Sequence, residues 1–241
     1  MRIHFIILTI LLAQILNAQD NISDMKSFVD AVENVEQLSN LKAVKFDSLS
    51  IITTFNELKR KIDFGYEHQR ILIMSWNGEL KLNIISRNQK IKIVWLSEFN
   101  SSKEMHSNIL TIVKDSIFLE NYISKHNKFY KTNLTQSDFK NQTLEELVVG
   151  FGCGEVGLDI PKESQRTLRL AKKRNRKELN KYLTSFSPEL QTLGAIGLLK
   201  IGRLTNEQKL IIEHLKNRNS VIYSCSGCLY GIGETFSERI E

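Results

Sequence analysis

At 241 residues the chain is long enough for one large domain or two small ones whose core does not depend on disulfides. Hydrophobic residues at 41% and charged residues at 25% exclude wholesale disorder. A formal net charge of +6 is a solubility property unless the cations are gathered in one place.

The chain begins with Arg2, an apolar run from Phe5 to Leu16 broken only by Thr9 and Gln14, and a small residue at Ala18. This order of charge, apolar stretch and small exit predicts a signal peptide over residues 1–18. The run is shorter than the ~20 residues of a spanning helix, so no transmembrane segment is expected after cleavage. Gln19 and Asp20 follow, so no lipidated cysteine stands at the new terminus. The expected destination is exported, periplasmic or secreted. Cysteines there meet an oxidising environment, and soluble cytosolic cofactors are not expected.

Ile22, Met25, Phe28, Val29, Val32, Val35 and Leu38 recur in steps of three and four, which predicts an amphipathic helix over 22–38. Ala43–Phe46 reads as a short strand. Thr54 and Glu57 have capping-box spacing and predict a helix to about Ile62. Arg70–Trp76, Glu79–Ser86 and Lys90–Ser97 read as three strands, with a turn at Asn77-Gly78 between the first two. Lys81, Asn83, Lys90 and Lys92 alternate with apolar residues, so one sheet face should be wet. Residues 104–125 return to a helical rhythm, and Lys125–Gln142 reads as irregular. Trp76 and Trp95 are expected in the core, with nothing beside them to support a carbohydrate platform.

After Pro161 the chain predicts helices at 162–174, 176–184, 188–201 and 205–217, with Pro161 and Pro188 at helix starts. Gly194 and Gly197 each cost about 1 kcal/mol against alanine inside a helix, tolerable where a neighbouring helix approaches closely. The expected fold class is α+β: N-terminal helices with a three-stranded antiparallel meander, then an all-α HEAT-like tail. The expected domains are 19–145 and 146–241.

Nine basic residues lie between Lys162 and Lys181. Lys172, Lys173, Arg174, Arg176 and Lys177 form their centre. They read as a solvated helix face or as a surface for an anionic envelope component. Nucleic acid is not expected as a partner of an exported chain, and only Tyr182 interleaves the cations to stack on bases.

Cys153 precedes the helical segment and Cys225-Ser226-Gly227-Cys228 follows it. A bridge from Cys153 to Cys225 or Cys228 closes a long loop and stabilises by roughly 4 kcal/mol, against about 2 for Cys225 to Cys228. The competing use is redox exchange at Cys225 and Cys228, but a redox pair wants a helix N-terminus. Zinc held by three thiolates and His214 would need reduced ligands, so no metal is expected. Gly152, Gly154 and Gly157 match a dinucleotide fingerprint, but Pro161 and the basic run at 172–178 stand where its helix and strand should continue. No cofactor is expected.

The GCG element at 152–154, the proline-led helices and the terminal CxGC resemble uncharacterised exported bacterial proteins over about residues 148–230. The resemblance implies no known activity. No hydrolase or metalloprotease motif is present, and His68, His106, His126 and His214 are scattered. The expected function is a non-enzymatic protein-interaction module with a disulfide-tied tail. The alternative is an envelope thiol-disulfide protein.

Overall fold

A computed structural model describes residues 22–43, 50–152, 160–226 and 229–240. The predicted signal peptide, most of the Ala43–Phe46 strand, Cys153 and Cys228 lie outside the described residues. The chain divides into two compact units. The first runs to Lys59 and adds Tyr66–Ser116, and the second joins Arg60–Gly65 to everything from Ile117 onward.

The first unit carries a five-stranded sheet in the order β1 (Ile51–Ile62, of which Arg60 onward belongs to the second unit), β2 (Tyr66–Ser75), β3 (Gly78–Arg87), β4 (Lys90–Asn100), β5 (Met105–Val113). A helix over residues 22–31 (α1) and a 3-10 helix at Val35–Ala43 precede it. The predicted helix over 22–38 breaks at 32–34, where Gln37 Oε1 accepts from the amides of Glu33 and Asn34. The apolar stripe nonetheless does what its spacing demands. Met25, Val29, Leu38 and Leu41 pack on Ile73, Leu82, Ile84, Val94 and Leu96.

Two strands replace two predicted helices, so the three-stranded meander is corrected to five strands. In β1, Leu58, Arg60 and Ile62 are buried while Glu57, Lys59 and Lys61 are not, a period of two that outweighs the capping-box spacing. In β5, pairing of Val94 with Ile112 and Leu96 with Leu110 fixes an extended chain. The polar face is also corrected. Lys81 and Asn83 are fully buried, with Asn83 Oδ1 accepting from Arg70 Nε at 2.9 Å and lying 3.0 Å from His68 Nε2. Lys81 Nζ lies 3.0 Å from Glu57 and 3.4 Å above the Phe99 ring. Alternation here marks a buried polar layer.

The second unit holds α2 (Phe118–Tyr130), α3 (Gln136–Leu144), α4 (Lys162–Lys172), α5 (Arg176–Leu183), α6 (Pro188–Ile201), α7 (Asn206–Arg218), the hairpin β6 (Val221–Ser226) and β7 (Leu229–Thr235), and α8 (Phe236–Ile240). The tail is therefore not all-α. Val149 pairs with Ser224 beside β6. The segment expected to be irregular, 125–142, contains the end of α2 and most of α3. Thr135 and Asp138 cap α3 reciprocally. Three of the four later helices, α5 to α7, start where a side chain caps them: Asn175, Ser187 and Thr205 each accept an amide of the first turn. Leu179, Leu183, Ala195, Leu198, Ile211 and Leu215 form their core.

Candidate functional site

The concentration of shifted ionisable groups lies in the second unit, around Asp63. The chain turns there through Phe64 (φ 62°) and Gly65 (φ 76°), both left-handed. The turn points a carboxylate, 2% exposed, into the helices. His126 and Tyr130 are one helical turn apart on α2, and His214 and Arg218 one turn apart on α7, so each pair shares a face.

Asp63 Oδ1 accepts from His214 Nε2 at 2.9 Å and Arg218 Nη1 at 2.7 Å, and Oδ2 accepts from the Tyr130 hydroxyl at 3.0 Å. Arg218 Nη2 donates to Gln191 Oε1 at 2.6 Å, and Gln191 Nε2 donates to the Ser185 carbonyl at 2.7 Å. Burial alone would raise the Asp63 pKa, but the Arg218 charge and the His214 hydrogen bond hold it well below the carboxylate range. Burial pushes Tyr130 well up, and the Asp63 charge adds to it. A second buried pair joins Arg60 Nη1 to Glu189 Oε1 at 2.5 Å.

His126 is wholly buried between the rings of Phe186 (4.0 Å) and Tyr130 (4.4 Å). Burial depresses its pKa from 6.5 to about 4 against the opposing pull of Asp63. Between those values unfolding takes up a proton, so stability is whole above pH 6.5 and falls as pH drops toward about 4. The expected loss is roughly 3 kcal/mol. Asp63 acts only in stronger acid, where protonation of its depressed carboxyl removes stability. Urea titrations across this range should show a flatter profile in His126→Gln, and an unchanged slope would reject the assignment.

This constellation fixes Asp63 as a structural anion. It also orients His214, which is 31% exposed and lies against the Phe129 ring at 4.5 Å. The zinc reading of His214 also needs Cys153 and Cys228, which lie outside the described residues, and His214 Nε2 faces Asp63. The signal for this network was present as His126-x-x-x-Tyr130 and His214-x-x-x-Arg218, but single histidines gave no reason to join them.

Cys225 is 1% exposed on β6 beside a register shift. No second cysteine belongs to the described residues. Lys172, Lys173, Arg174 and Lys177 are all exposed where α4 ends and α5 begins. Arg174 adopts φ 52° in the connection. Arg176 differs: it is half-buried and donates to the Gly202 carbonyl. Neighbouring cations are engaged by acids, Arg166 by Glu163 and Glu178, and Lys181 by Glu178 at 2.7 Å. No ion pair holds Lys172, Lys173, Arg174 or Lys177 among the described residues.

No protein family, no curated protein and no solved structure matches this chain.

Proposed function

We propose that the mature protein is an exported, non-enzymatic binding module whose α4–α5 corner engages an anionic envelope surface. The observation that carries it is the set of four exposed cations, Lys172, Lys173, Arg174 and Lys177, with Glu163 and Glu178 committed to other partners. The apolar run at residues 5–16 supports export. No helix among the described residues is long and apolar enough to cross a membrane. A surface basic cluster gains about 1 kcal/mol per cation at an anionic membrane.

The disulfide reading rests on Cys225, buried in a strand rather than placed at a helix N-terminus. Those surroundings favour a structural bond over thiol exchange.

Reversing Lys172, Lys173 and Arg174 to glutamate should leave the melting temperature nearly unchanged, because all three are exposed. It should abolish co-sedimentation with vesicles containing phosphatidylglycerol or retention by a soluble anionic polysaccharide. Loss from vesicles alone identifies a lipid surface, and loss from the polysaccharide alone identifies a polymer. Unchanged binding to both would refute the reading.

A further inference from the structure

The five-stranded sheet is open, and its two edges are built differently. β1 at one edge carries Glu57 and Lys59, charges of the kind that keep an edge strand from pairing with another chain. β5 at the other edge contains no lysine, arginine, aspartate, glutamate or proline. Its bulge falls opposite Leu96–Glu98, where Asn108 adopts φ 49°. The bulge therefore guards only the start of the strand, and residues 110–113 run in unbroken register with β4.

The direction of the backbone groups in that stretch follows from its ladder. Lys114 N donates to the Lys92 carbonyl at 2.9 Å, which makes these two a hydrogen-bonded pair. Antiparallel ladders alternate such pairs with pairs whose N–H and C=O turn away from each other. Val113 lies opposite Ile93, Ile112 opposite Val94 and Thr111 opposite Trp95. Ile112 therefore bonds to β4, while Thr111 and Val113 turn their N–H and C=O outward. No strand lies on that side of β5, and among the described residues nothing else bonds these groups. Both side chains are exposed, Val113 by 49%.

We propose that β5 pairs with β5 of a second copy of this chain, antiparallel about a two-fold axis at Ile112. That register sets Thr111 opposite the second copy's Val113, and Val113 opposite its Thr111. Each of these pairs exchanges two N–H···O=C bonds, so every outward backbone group of the stretch is satisfied. Thr111 and Val113 are β-branched and suit cross-strand contact. No like charges are set against each other. Lys114 falls opposite the second copy's Leu110 and already donates to the Asp30 carbonyl, and Asp115 is held by Lys92 at 2.9 Å. A register in which the same two residues give and accept every bond fits a second copy better than an unrelated peptide, and it closes at two copies. The contact is short beside the roughly 1,200–2,000 Å² of a stable interface. The dissociation constant is accordingly on the order of 100 μM. This surface belongs to the first unit and stands independently of the α4–α5 corner.

Sedimentation velocity of the full chain between about 10 μM and about 1 mM should show monomer passing to dimer and stopping there. Amide hydrogen exchange locates the contact. At about 1 mM roughly one fifth of the chains remain monomeric, so exchange at Thr111 and Val113 should be about fivefold slower than in dilute protein. Ile112, bonded to β4 in both states, should not change. Val113→Lys puts a charge on the edge, and Thr111→Pro removes an N–H that faces solvent in the monomer. Both should stay monomeric at the highest concentration, with the melting temperature of dilute Val113→Lys nearly that of the wild type. A wild type that is monomeric throughout would overturn the proposal. So would a dimer that persists in Val113→Lys, or one in which Thr111 and Val113 exchange as fast as in dilute protein. Growth past the dimer would also overturn it, since that is the sign of β5 pairing with β1 of the next copy.

Discussion

Replacing Arg218 with alanine is expected to destabilise the protein by about 3–5 kcal/mol, the range for removing one partner of a buried ion pair. Arg218 is 6% exposed at its side chain and Asp63 is 2% exposed, so the change strands a carboxylate out of reach of bulk water. The guanidinium also holds Gln191, whose amide reaches the Ser185 carbonyl, so three elements lose their common tie. Lysine should rescue little, because one ammonium does not reproduce two fixed N–H directions. Urea unfolding measures the loss. A fall below about 1 kcal/mol, the ordinary value of a surface pair, would show that Asp63 is satisfied without Arg218.

Gly194→Ala is the second large effect. A Cβ at this position would lie 2.3 Å from Leu183 N and 2.8 Å from Leu179 O, so backbone must move. Overpacking of this kind costs about 1–3 kcal/mol or more, and the gain in helix propensity of about 1 kcal/mol does not offset a backbone clash. Gly197→Ala meets instead the tip of Leu179, with Cδ2 at 2.4 Å, which a rotamer change relieves. Thermal unfolding should therefore rank Gly194→Ala well below Gly197→Ala. Equal stability of the two would mean that α5 and α6 are further apart than described.

The helices from 162 to 218 were legible because their signals are local. Asn175, Ser187 with Pro188, and Thr205 with Gln208 each set a boundary within one turn. The close approach of a helix at Gly194 and Gly197 was also anticipated from the glycines. The strands β1 and β5 were not legible, because an extended chain is held by partners elsewhere, and Thr54 with Glu57 imitated a helix start. The polar layer at Lys81 and Asn83 was misread because alternation specifies which face a side chain takes, not whether that face is wet.

The Asp63 network was hidden by distance along the chain. Its carboxylate meets Tyr130, His214 and Arg218 at separations of 67, 151 and 155 residues. Trp76 was misassigned for a related reason: being at a turn tip rather than within a strand put it in solvent. The basic segment was legible as a cluster, but not the inward turn of Arg176 onto Gly202, which subtracts one cation from it.

The claim that the α4–α5 corner is the working surface is tested most directly by a binding isotherm of the full chain on phosphatidylglycerol vesicles. Wild type and the Lys172→Glu, Lys173→Glu, Arg174→Glu variant are compared at low and physiological salt. The expected result is an affinity at least about 100-fold lower for the variant, from about 1 kcal/mol per lost cation. Wild-type binding should also weaken as salt shortens the screening length. Equal isotherms for the two proteins at both salts would contradict it.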